Sequence, residues 1–192
     1  DIGTSLIECY ELSVNTNCLV INFEYPGYGI CKNQPLSEKE TYNNLKKNYI
    51  YATQQLGFSP TQIVIYGFSL GTGIAFDLAC KEQYPIAGLI LQSPLLSCAI
   101  VLFNLKKTYY FDIFNNCDKA KYLKRLTFFI HGNKDTLVPY VHGRILAKLI
   151  PKEYLYDFYT VDGADHNNLF KYDEELTYKK IRKFIQVCTG FQ

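Results

Sequence analysis

Apolar residues recur along this chain in two alternating rhythms, and the alternation predicts a fold class before any chemistry is considered. Ile2, Leu6, Tyr10 and Val14 fall at helical spacing until Asn15-Thr16-Asn17 interrupts them, which predicts a helix over 1–14. Cys18 to Phe23 is a short apolar run closing on Pro26-Gly27-Tyr28-Gly29, expected to be a strand buried on both faces and its terminal loop. Ser37-Glu38-Lys39-Glu40 forms a capping box. Tyr42, Leu45, Tyr49, Ala52 and Leu56 then follow at helical spacing until Gly57.

The same alternation continues through the second half of the chain. A strand is predicted over 62–66, a helix over 70–82 and a strand over 87–91, followed by an aperiodic, cap-like segment over 93–126. Strand, helix and strand return at 127–130, 140–150 and 154–161, and a closing helix spans 174–188 with Ile181, Phe184, Ile185 and Cys188 on one face. Strands separated by helices imply an α/β fold of three layers, with a mostly parallel sheet between helices on both faces. The length suits one domain over 1–192.

Composition narrows the picture by exclusion. A net charge of +2 with scattered lysines carries no nucleic-acid footprint, and no apolar run is long enough for a membrane span. Seven cysteines without CxxC or Cys/His metal spacing read as mostly buried thiols of a reduced, cytoplasmic protein, and no metal or cofactor is expected. The chain has no methionine and opens on a helix, so it is expected to be a processed or incomplete piece of a longer one.

The chemistry concentrates where the predicted strands end. Gly67-Phe68-Ser69-Leu70-Gly71 joins a strand to a helix, the pattern of a nucleophile elbow, in which small neighbours let one serine occupy a sharp, strained turn. Asp135 follows the 127–130 strand and His166 follows the 154–161 strand, so Ser69, Asp135 and His166 come in the order of an α/β-hydrolase triad. A serine hydroxyl needs a base, here His166, and the base needs a carboxylate to fix its tautomer, here Asp135. The Leu70 backbone N–H supplies one oxyanion donor. The second is expected upstream of residue 1. Of the other histidines, His131 reads as packed or backbone-bonded and His142 as a surface residue. Asp162 and Asp165 are expected to shape the loop before His166, and Tyr28 and Phe68 are candidates to line the pocket.

At these residues the chain resembles the α/β-hydrolase superfamily, and more narrowly the ABHD17 (FAM108) type of serine hydrolase and its Bem46-like relatives. The narrower likeness rests on Tyr25-Pro26-Gly27-Tyr28-Gly29, Ile65 to Thr72, Leu91-Gln92-Ser93-Pro94-Leu95, Lys107-Thr108-Tyr109-Tyr110-Phe111-Asp112, Ile130-His131-Gly132 with Asp135, and Gly163 to Asn167. Phe68 stands where a polar residue is common, and Cys31-Lys32-Asn33-Gln34 replaces a small, glycine-containing loop. The resemblance implies hydrolysis of palmitoyl thioesters on membrane-associated proteins, with peripheral attachment to the cytosolic face of membranes through an N-terminal segment absent from this sequence. It also implies a strand, upstream of residue 1, between the 18–23 and 62–66 strands. Lipid esterase, lysophospholipase or peptidase activity on the same scaffold stays open, as does an inactive fragment or scaffold.

Overall fold

The computed structural model describes residues 2–103 and 112–191. Strands β1 (Val64–Phe68), β2 (Gly88–Gln92), β3 (Thr127–Gly132) and β4 (Leu155–Val161) form one parallel sheet in the order β1-β2-β3-β4. Because all run the same way, their carboxyl ends share one rim.

Neighbouring strand residues serve opposite cores. Leu89, Leu91 and Phe129 face one core with Phe76 of α3 (Gly71–Ala79) and Leu146 of α6 (Tyr140–Leu149); Ile90, Phe128 and Ile130 face the other with Ile181 and Phe184 of α8 (Glu174–Thr189). Helices therefore cover both faces, which is why β2 and β3 are buried at every residue. Thr127 pairs with Leu155 but Phe128 with Asp157, so β4 carries one extra residue at Tyr156. Past that bulge, Phe158 stacks on Phe129 at 5.8 Å.

The expected strand over 18–23 does not form. Residues 18–25 are irregular, no described strand pairs with them, and Leu19 is 67% exposed. An apolar run becomes a strand only where a neighbour takes up its backbone donors and acceptors, and the described sheet stops at β1. Side chains hold the segment instead: the buried Glu24 accepts the Ile2 N–H at 3.1 Å, and its carbonyl accepts from Asn44 of α2 (Glu38–Ile50) at 2.7 Å.

Helix α1 (Leu6–Thr16) starts later than its periodicity suggests, and its stripe of Leu6, Tyr10 and Val14 faces outward. Leu12 packs inward against the α8 core, and the Arg182 guanidinium donates to the Asn15 carbonyl at 2.9 Å. In α2, Ser37 accepts the Glu40 N–H, one half of the expected capping box, and the helix widens into a π turn at Tyr51–Gln55.

The 93–126 segment contains α4 (Cys98–Phe103) and α5 (Asn116–Lys119). Phe114, held at φ 51°, pins it down: its N–H donates to Glu38 at 2.7 Å and its ring meets Tyr42 edge-on at 5.7 Å. The Lys107 to Phe111 part of the family-like segment lies outside the described residues. A short α7 (Leu169–Tyr172), which periodicity did not reveal, precedes α8. All the cysteines are free thiols, and Cys98 is buried whereas the other six are half-buried, a correction to the expectation of mostly buried ones. Among the described residues no helix is long and apolar enough to cross a membrane.

Candidate active site

The elbow is built by steric exclusion. A Cβ on Gly67 would stand 2.8 Å from both the Gly71 carbonyl oxygen and the Thr72 Cα, and one on Gly71 would stand 3.0 Å from the Tyr25 hydroxyl. Only glycine lets β1 turn this tightly into α3. The turn forces Ser69 to φ 52°, a left-handed conformation costing about 1–3 kcal/mol that persists only where the surroundings over-determine it. Three bonds do so here. The Ser69 N–H donates to the Gln92 carbonyl at the end of β2 at 3.0 Å, and the Ser69 carbonyl accepts from the Thr72 N–H at 2.9 Å and hydroxyl at 2.6 Å.

The serine hydroxyl so presented meets the other two predicted residues. Ser69 Oγ lies 2.9 Å from His166 Nε2, and His166 Nδ1 lies 2.8 Å from Asp135 Oδ2. A carboxylate can only accept, so Nδ1 carries the proton and Nε2 offers its lone pair to the serine hydroxyl. Asp135 follows β3 and His166 follows β4, so the three side chains converge from three strand ends at the common rim.

Asp135 is fixed on both oxygens. Its Oδ1 accepts the Leu137 and Val138 N–H groups at 3.0 and 2.8 Å, which fold residues 135–138 into a turn. Burial alone would raise its carboxyl; hydrogen bonds from His131, His166 and the Val138 N–H outweigh that and hold it well below the usual carboxylate range. It is therefore ionised at neutral pH, as a partner of imidazole must be.

The remaining predicted residues sort by position. Leu70 immediately precedes α3, and among the described residues its N–H finds no acceptor, so it is free beside the serine at the positive end of that helix. The Phe68 ring lies 5.0 Å from the His166 ring, tilted by 31°, and is 37% exposed at the mouth of the site. Tyr28 is half exposed and meets Tyr25 edge-on at 6.5 Å. Asp162 accepts from Asn133 and Asp165 from the Asn167 N–H, so both shape loops and neither bonds to His166.

Two histidines depart from expectation. His142, expected at the surface, is buried, and burial first and the neighbouring His131 second push it below its ordinary value of 6.5. His131 is buried and bonded to the Val138 carbonyl as expected, but it also stands 3.3 Å from Asp135 Oδ2. That contact could have been suspected from the spacing of four residues across a strand end and a turn. Thr72, which braces the elbow, carried no sequence signal beyond following the second glycine.

The family described as phospholipase/carboxylesterase matches residues 25–189. The chain is 34% identical to human α/β hydrolase domain-containing protein 17B over 188 residues, covering 96% of this chain and 62% of that protein. It is 33% identical to mouse protein 17C, covering 96% of this chain and 56% of the relative. It thus spans about three-fifths of the length of the curated relatives it matches. Among solved structures, the esterase domain of a Rhodothermus marinus protein aligns at 16% identity and TM-score 0.66, over 92% of this chain and 79% of that one. Est1E from Butyrivibrio proteoclasticus with bound ferulic acid aligns at 18% identity and TM-score 0.67, over 88% of this chain and 76% of that one. Those two likenesses concern the fold. With a match over most of its length, a parallel sheet covered on both faces and an elbow at the first strand's end, the chain belongs to the phospholipase/carboxylesterase family of α/β hydrolases.

Proposed function

We propose that the protein is a serine hydrolase that cleaves acyl thioesters or esters through an acyl-enzyme on Ser69, and most specifically removes palmitoyl groups from protein cysteines. The observation that carries the reading is the chain of hydrogen bonds Ser69–His166–Asp135, at 2.9 and 2.8 Å. Ser69 Oγ attacks the acyl carbonyl carbon while its proton passes to His166 Nε2. The new C–O bond moves charge onto the carbonyl oxygen, which the Leu70 N–H and the positive end of α3 stabilise. Collapse of that intermediate breaks the bond to sulfur or oxygen, and the leaving group takes the proton from His166. Water then repeats the sequence on the acyl-enzyme and frees the acid. Throughout, Asp135 holds Nδ1–H and offsets the imidazolium charge.

The thioester preference comes from the resemblance to ABHD17-type hydrolases. A second reading, hydrolysis of lipid esters such as lysophospholipids, is favoured by the description of the matching family. A fluorophosphonate probe applied to the whole protein is expected to label Ser69, and Ser69→Ala to abolish labelling. Wild-type protein that stays unlabelled would sink the serine-hydrolase reading. Turnover of a palmitoyl-cysteine peptide against a lysophospholipid then separates the two substrate classes.

A further inference from the structure

His131 is the buried, titratable neighbour of the site that the mechanism above leaves unused. It sits at the carboxyl end of β3, fully buried, with its ring facing α6. Its Nε2 is 3.0 Å from the Val138 carbonyl oxygen and 3.3 Å from Asp135 Oδ2. Both neighbours are acceptors, so Nε2 must carry a proton. Its Nδ1 is buried with no hydrogen-bond partner among the described residues, so a second proton there would be a buried donor without an acceptor. Nε2 is therefore the ring nitrogen whose N–H the surroundings hold, and Nδ1 has no partner among the described residues.

The wall behind the ring is specific too. A Cβ on Gly143 would stand 2.5 Å from Nδ1, and the Tyr140 ring meets the imidazole edge-on at 5.6 Å. Helix α6 thus presses the imidazole towards the 135–138 turn. Val138 donates its N–H to Asp135 Oδ1 and accepts at its carbonyl from His131, which closes a loop of contacts around the carboxylate. Asp135 Oδ2, the oxygen that faces His166, has the His131 N–H at its flank.

We propose that His131 is a positioning residue: its Nε2–H locks the 135–138 turn and the Asp135 carboxylate in the orientation that His166 needs. The inference rests on the serine-hydrolase reading, and it acts through Asp135 without touching substrate. The groups facing the ring are Asp135 and Val138 from the turn, and Tyr140 and His142 from α6.

Replacement by Gln and by Asn tests this, because a glutamine amide nitrogen superposes on Nε2, whereas the asparagine nitrogen superposes on Nδ1 and points away from Asp135. In the whole protein, His131→Asn is expected to lower kcat by about 10²-fold with KM changed less than about twofold, the pattern of a mispositioned catalytic group. His131→Gln is expected to recover at least about tenfold of that loss. The acid limb of the kcat/KM profile should move to higher pH in the Asn variant, because a carboxylate with one donor fewer pulls harder on the facing imidazole's proton, and return in the Gln variant. Equal kcat values and superposable pH profiles for the two variants would overturn the proposal and leave His131 a packing residue. Fluorophosphonate labelling separates the levels. An unlabelled wild type overturns the hydrolase reading and this inference together, whereas a labelled wild type with equivalent Gln and Asn variants overturns the inference alone.

Discussion

Residues 18–23 and residues 88–92 are both short apolar runs, yet one is irregular and partly exposed and the other is a strand buried at every residue. Leu91 has no exposed surface, whereas Leu19 is 67% exposed. Composition does not separate them; neighbours do. β2 has β1 on one side and β3 on the other, with an apolar helix layer on each face, while nothing described pairs with 18–25. The contrast extends to function. The carboxyl rim of the paired strands fixes Ser69 by its backbone bonds and Asp135 through two oxygens, whereas residues 18–25 are held by side-chain contacts such as Glu24 with Ile2 rather than by a ladder. Chemistry that needs sub-ångström placement sits where the backbone is over-determined.

The rim offers the largest effect. Ser69→Ala is expected to lower ester or thioester hydrolysis by at least about 10⁴-fold without lowering the melting temperature, since the substitution removes the proposed nucleophile from a turn that its backbone bonds maintain. Turnover that survives the change would mean that another group carries the reaction. Next comes the core beneath the rim. Leu91→Ala, which opens a cavity between β2 and α3, is expected to cost about 2–5 kcal/mol in urea unfolding. A cost below about 1 kcal/mol would show that β2 is less tightly packed than its burial implies.

The pH dependence of stability reports on the same region. His142 has a folded value below its ordinary 6.5, so below that pH the unfolded chain binds more protons than the folded one. Its contribution is complete above about pH 6.5 and is lost as the pH falls. His142→Leu should therefore flatten the stability curve between about pH 7 and pH 5, and an unchanged slope would put the histidine in contact with water. Asp135 behaves in the same direction at lower pH. Its depressed carboxyl contributes fully above the ordinary carboxylate range, near pH 4, and that contribution is lost only in stronger acid. The two titrations therefore occupy separate windows.

Much of this was legible in the sequence, for definable reasons. Buried parallel strands are apolar on both faces, so β1 to β4 stood out as runs, and the elbow declared itself because two glycines must flank a serine at a strand-to-helix turn. Chain order then supplied Asp135 and His166, since each follows its own strand. What stayed hidden depends on contacts that no local pattern encodes. The outward stripe of α1 has helical spacing but, among the described residues, lacks a partner on that side. The π turn after α2, the bulge at Tyr156 and the burial of His142 are set by packing between elements distant in sequence. His131 was visible as a strand-end residue, yet its contact with Asp135 exists only because the 135–138 turn folds back onto β3.

The smallest expected effect probes the other side of the comparison. Leu19 belongs to a run whose apolar pattern matches that of a buried strand, but with 67% of its surface in water it has little transfer free energy left to lose. Leu19→Ala should change unfolding free energy by less than about 0.5 kcal/mol, and Tyr10→Ala on the outward stripe of α1 by a similar amount. Both are measured against Leu91→Ala in the same denaturant series on the same 192-residue chain. If the two exposed substitutions cost nothing there but destabilise the whole protein by an amount typical of core positions, then further chain packs over residues 6–25 and completes the ladder they lack. If they stay neutral in both, the N-terminal segment is a true surface, and the asymmetry between the two apolar runs is a permanent property of the fold.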